Sequence, residues 1–120
     1  MAAKDDRGRA GEDRAAAHLE RRGWQVLDRN WRCRDGELDI VALEAGEIVI
    51  VEVKTRRGTG FGHPLEAIDA RKRARLWRLG IAWAVAHPDL ARGRELRLDG
   101  IAVIGPEPAT AKLEHVVDLR

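Results

Sequence analysis

A chain of 120 residues is long enough for one sheet-and-helix core and too short for two, so a single domain over 1–120 is expected. Hydrophobic residues make up 44% and charged ones 35%, a balance that excludes a disordered tract and a membrane protein. The formal net charge of +2 is compatible with a phosphate-bearing partner without demanding one, and the lone Cys33 excludes an internal disulfide or a cysteine zinc cluster.

The first residues, MAAKDDRGRAGEDRAAAHLERRG, mix charges throughout, so neither a signal peptide nor a membrane span is expected and the default address is the cytoplasm. From about Arg9 to Arg22, Ala15, Ala16 and Leu19 recur at helical spacing, with Gly23 as the stop. WQVLDRN, Trp24 to Asn30, reads as a short strand, and WRCRDG connects it to the next elements. ELDIVALEAGEIVIVEVK reads as a hairpin with a two-residue turn at Ala45-Gly46. The glycine-rich loop RGTGFGHP ends in Pro64, which suits the first turn of a helix running from Pro64 to His87. Leu65, Ile68, Leu76, Leu79 and Trp83 form its apolar stripe. ELRLDGIAVIG, Glu95 to Gly105, is the next strand, and KLEHVVDL, Lys112 to Leu119, the last. The order predicts an α/β fold, a mixed sheet flanked by helices.

Four charges interrupt the hairpin. With the turn at Ala45-Gly46, facing residues have numbers that sum to 91, so Asp39 lies opposite Glu52 and Glu37 opposite Lys54. Directly opposed residues have Cβ atoms roughly 4.5 to 5.5 Å apart, where like charges destabilise. Either these groups form a solvated rim with Glu37 pairing Lys54, or two carboxylates in an apolar strand are held together by a divalent cation. Oxygen ligands of this kind suit Mg²⁺ or Mn²⁺ better than zinc. Only four of the 22 basic residues are Lys, namely Lys4, Lys54, Lys72 and Lys112; in so arginine-rich a chain, Lys54 suggests that a compact ammonium with a movable pKa is wanted.

Two helix residues join the set. Glu12 precedes Ala15, Ala16 and Leu19 by helical steps and so faces the core, either as a charge favoured at a helix start or as a site residue. Lys72 sits four residues from both Ile68 and Leu76, on the apolar face of its helix, where its stem could also snorkel past the sheet edge. Arg56 and Arg57, and Arg71, Arg73 and Arg75 beside Lys72, are candidate phosphate contacts, although a charge run of this kind also serves as a solvated face. Trp24 and Trp83 read as core. Trp77 lies off the stripe, and it or Trp31 could stack on a base. The four histidines share no spacing and are assigned no metal.

An acid followed by a strand-borne Glu-x-Lys, here Asp39 and then Glu52-Val53-Lys54, resembles the PD-(D/E)xK motif of the restriction-endonuclease-like nucleases. GRAGEDRAAAHLERRGW, RNWRCRDGELDIVA, VEVKTR, FGHPLEAI, Lys72 and RLDGIAVI together resemble the YraN-like family of small bacterial proteins, which are similar to archaeal Holliday junction resolvases. The resemblance spans about Gly8 to Ile104. It implies a restriction-endonuclease-like sheet with a central hairpin and Mg²⁺- or Mn²⁺-dependent cleavage of DNA, including branched or repair and recombination intermediates. It further implies that Asp39, Glu52 and the main-chain carbonyl of Val53 bind the metal. Lys54 orients or activates water, and Glu12 completes the acidic cluster; Glu37 and Lys72 match family positions of auxiliary role. Leu38 stands where the motif has proline, and Gly100 follows Asp99 where the family has a branched apolar residue, which predicts a local bend. The rival expectation is a nucleic-acid-binding module that keeps the fold and does not cut; a homodimer would double its basic surface.

Overall fold

The computed structural model describes residues 5–120, so Lys4 lies outside the described residues. One five-stranded sheet carries helices on both faces: α1 (Asp6–Arg21), β1 (Gln25–Cys33), β2 (Gly36–Glu44), β3 (Glu47–Arg56), a 3₁₀ turn (Pro64–Ala67), α2 (Ala70–Ala86), the short α3 (Pro88–Ala91), β4 (Leu96–Ile104) and β5 (Lys112–Val116). Strand order is β1-β2-β3-β4-β5. Every neighbouring pair is antiparallel except β3 and β4, which run parallel and are joined by the crossover through α2. This is the mixed α/β sheet with a central hairpin that the sequence implies.

Two apolar cores result. Ala15, Ala16 and Leu19 of α1 pack with Ile40, Ala42, Val49, Val51, Ile101 and Val103 on one face of the sheet. Leu76, Leu79 and Trp83 of α2 pack with Val41, Ile48, Ile50 and Leu98 on the other. β3 and β4 are covered on both sides, which is why their sequences read as apolar runs and not as alternating patterns. Leu38, two residues before Ile40 on β2, packs with the α2 core. Among the described residues no helix is long and apolar enough to cross a membrane.

Several element limits depart from the sequence reading. α1 begins earlier than Arg9 because Asp5 caps it, its carboxylate accepting from the Gly8 N–H at 2.7 Å. β1 continues through WRC and forms a second hairpin with β2, turning at Arg34 and Asp35. The long second helix breaks at Ile68 (φ −94°, ψ 72°). Asp69 restarts it, its side chain accepting from the Lys72 N–H at 2.9 Å. Gly100 produces no bend: β3 and β4 pair without interruption through Glu52–Gly100. A Cβ there would lie 3.0 Å from Leu119 and 3.1 Å from Leu65, so the glycine makes room for those two side chains.

Candidate active site

The site forms where two central strands part. Ala45 and Gly46 both adopt positive φ, 51° and 80°, and the two-residue turn sets the register that sums to 91. The ladder runs from Glu44–Glu47 to Ile40–Val51 and then stops. One step further, Asp39 turns its carboxylate across the gap and accepts from the Val53 N–H at 2.9 Å. β3 remains in the sheet there because β4 holds its other edge. The fork therefore leaves an acid and a strand end facing one another.

Glu52 is 7% exposed and its carboxyl is hydrogen-bonded to that of Asp39. Burial, then the Asp39 charge and that hydrogen bond, push the Glu52 pKa up to about 7, against the opposing pull of Lys54 and Lys72. Two carboxyls sharing a bond need a proton or a cation between them. Lys54 Nζ stands 3.6 Å from Glu52 Oε2 and Lys72 Nζ stands 3.3 Å from it. Burial and neighbouring Lys72 lower the Lys54 pKa. Burial also pulls on Lys72, but its contact with Lys54 and the Glu52 charge outweigh that and hold its pKa raised. The helix break explains how Lys72 arrives: with Asp69 as cap, it falls in the first turn of α2, over Glu52.

Glu12 reaches the same region from the other face. Gly11 is its enabling neighbour, because a Cβ there would lie 1.9 Å from Thr55 Oγ1, so only glycine lets α1 lie so close to β3. Glu12 is 1% exposed, and its Oε2 accepts from Arg29 at 3.0 and 2.8 Å and from Asn30 at 2.8 Å. A bulge in β1 between Val26 and Asp28, followed by Asn30 at φ 53°, brings both donors to it. Glu12, Asp39, Lys54 and Arg56 line one cleft of about 220 Å³. Asp39, Glu52, Glu37, Lys72 and Arg75 line another of about 140 Å³, on the α2 side. Asp39 belongs to both. Among the described residues no three His, Cys, Asp or Glu side chains form a group able to hold a metal.

The remaining candidates divide. Glu37 pairs with Arg32, its β1 neighbour, at 2.6 Å, where the sequence reading had paired it with Lys54; the ladder that would have brought those two together ends before it reaches them. Arg73 donates to the Ile68 carbonyl at 2.8 Å and braces the helix break, and Arg75 donates to the Asp35 carbonyl at 2.9 Å. Arg56, Arg57 and Arg71 are exposed. Trp77 is half-buried under the Arg120 guanidinium, 3.9 Å from the ring centre, and Trp31 packs against the α2 core. The histidines show a contact that spacing could not reveal. His18 Nε2 meets His115 Nδ1 at 3.4 Å, and His115 Nε2 meets Asp99 at 2.9 Å. Asp99 is fully buried and also accepts from Arg97 and from the Asp118 N–H. An aspartate in a central strand was the available signal for this network.

A family described as "Uncharacterised protein family UPF0102" matches residues 11–103. The chain belongs to this family. A UPF0102 protein of Clavibacter michiganensis is 47% identical to it over 116 residues, covering 97% of each chain. One from Paenarthrobacter aurescens is 48% identical, covering 97% of this chain and 94% of its own. Among solved structures, a chain of "Structure of EndoMS-dsDNA2 complex" superposes with a TM-score of 0.42 at 18% identity. That match covers 91% of this chain and 41% of the other.

Proposed function

We propose that this UPF0102 member is a Mg²⁺- or Mn²⁺-dependent endonuclease that hydrolyses DNA phosphodiester bonds, with branched or repair and recombination intermediates as its substrates. The observation that carries the reading is the meeting of the Asp39 and Glu52 carboxyls at the strand fork, with two lysines beside them. Buried acids that repel each other raise a demand for positive charge, and hard oxygen donors suit these cations. The donors would be Asp39, Glu52 and the carbonyl of Val53, which in an extended strand points to the same side as its N–H, toward Asp39. A cation bound there supplies Lewis-acid polarisation of the phosphate.

The chain's own residues do the rest. Glu52, with its pKa at about 7, is free of its proton above that pH and would then serve as a ligand. Lys54, with its pKa lowered, orients the attacking water and exchanges a proton with it. Lys72 keeps its proton and offsets the negative charge that grows on the phosphate. Glu12, fixed by Arg29 and Asn30, walls the cleft on the α1 side. Arg56, Arg57, Arg71 and Arg75 are exposed and would contact phosphates, while Arg73 holds the corner that positions Lys72.

The test is a cleavage assay with Mg²⁺ and with Mn²⁺ on linear, single-stranded and four-way DNA, comparing wild type with Glu52→Ala and Lys54→Ala. Loss of the lysine should slow cleavage about 10²- to 10³-fold. Either cation should also raise the melting temperature of wild type and leave that of Glu52→Ala unchanged. Activity that survives both substitutions would sink the site. Binding to every substrate without cleavage would leave the non-cleaving module.

A further inference from the structure

The loop between β3 and the 3₁₀ turn carries a feature that the cleavage reading does not use. Phe61, the one phenylalanine in the chain, stands wholly exposed at 109% relative accessibility, whereas all four tryptophans are buried or half-buried. A single exposed apolar side chain is ordinary on a protein surface. Phe61 differs because its loop is pinned.

The Gly62 N–H donates to the Thr59 carbonyl at 3.0 Å, closing a turn under the ring. Gly62 has φ 93°, and a Cβ there would lie 2.8 Å from Glu66, so the turn is built around glycine. His63 then locks the exit: its N–H donates to Glu66 at 2.7 Å, its Nδ1 accepts from the Leu65 N–H at 3.1 Å, and its Nε2 meets Glu114 of β5 at 2.7 Å. The ring is thus presented on a fixed base. A cleft of about 370 Å³ lies beside it, lined by Phe61, Arg56, His63 and Pro64, and its one carboxylate, Glu66, is engaged with the His63 N–H. Arg56 also lines the cleft that holds Asp39 and Lys54, so the two clefts share a wall. Exposed Arg56 and Arg57 give that path the charge a phosphate backbone needs.

We propose that Phe61 stacks on an unpaired nucleobase of the DNA strand whose phosphate is presented to Asp39 and Glu52, and so selects substrates with a single-stranded segment. The inference rests on the reading of that pair as the cleavage centre. An aromatic face next to a basic track suits every base, and a paired base in a duplex has both faces already covered by its neighbours. Arg56 leads the backbone from the acids to the ring.

The experiment measures binding by fluorescence anisotropy in the absence of divalent cation, so that it does not depend on cleavage. Labelled single-stranded, forked and fully paired DNA are compared for wild type, Phe61→Ala and Phe61→Trp. Phe61→Ala should weaken binding to the single-stranded and forked DNA by about 5- to 140-fold. Binding to the paired duplex should change less than about twofold, and Phe61→Trp should bind as wild type does. Because the side chain is exposed, unchanged melting temperatures are expected for both variants. Unchanged binding of Phe61→Ala to single-stranded DNA, or equal loss on all three DNAs, would overturn base stacking while leaving the cleavage reading intact. Failure of wild type to bind the single-stranded and forked DNA would likewise overturn base stacking, while the cleavage reading is decided by the assay with Mg²⁺ and Mn²⁺.

Discussion

Replacing Glu52 by Gln tests the electrostatics of the fork directly. The Glu52 pKa is raised to about 7 from an ordinary 4.5, chiefly by burial and by Asp39. A raised carboxyl pKa means that the folded protein holds a proton which the unfolded chain has already released. Stability from this group is therefore complete below pH 4.5 and is lost as pH rises through 7. Over the full shift the loss is about 3 kcal/mol, most of it between pH 5 and pH 8.5. For a chain of this length that corresponds to about 10 °C in melting temperature. Glu52→Gln keeps the shape, removes the titration and should not lose that stability. The assay is urea or thermal unfolding of both proteins from pH 5 to pH 8.5 in the presence of a chelator. Taking the difference between the two cancels the contributions of groups that the substitution does not touch. The stability of Glu52→Gln relative to wild type should grow as pH rises. A constant difference across the range, or one that shrinks toward pH 8.5, would refute the buried carboxyl pair as described.

Gly11→Ala should destabilise the protein by about 3 kcal/mol in urea unfolding, since its Cβ would collide with Thr55 between α1 and β3; a change below about 0.5 kcal/mol would mean that the helix shifts without cost. Asp99→Asn should cost about 3 kcal/mol by removing a buried charge from Arg97 and His115. Burial raises the Asp99 pKa, but hydrogen bonds from His115, Arg97 and the Asp118 N–H outweigh it and hold the value lowered. Its contribution is therefore lost as pH falls below about 3.8, and unfolding curves of wild type and Asp99→Asn should converge in acid.

The hairpin was legible because its turn chemistry and its apolar pattern agree. Gly46 supplies the positive φ, the alternation fixes the faces, and the register places Asp39 and Glu52 at the same level before any coordinates are seen. β1 was read too short because it lies at the sheet edge, and its second half, RNWRC, is half-exposed with no strong alternation. The break at Asp69 was missed because Leu65 and Ile68 pack into the same α2-side core as Leu76 and Leu79, so the apolar stripe runs on across an interruption in the backbone. Asp69 itself was the signal, a capping residue inside an apparently continuous helix.

Residue spacing by itself determined the order of helices and strands, the central hairpin and the level of Asp39 with Glu52, since these depend on residues close in the chain. The grouping of Lys54 with those acids came from the resemblance to the PD-(D/E)xK motif. Only the tertiary structure decided what surrounds them. Whether Glu37 pairs with Lys54 or Arg32 depends on where the ladder ends. Whether Arg73 faces solvent or a carbonyl depends on the helix break, and whether His18 meets His115 depends on how α1 lies over β5. Each of those outcomes is set by backbone parting and by packing between distant segments, and neither leaves a periodic trace in the sequence.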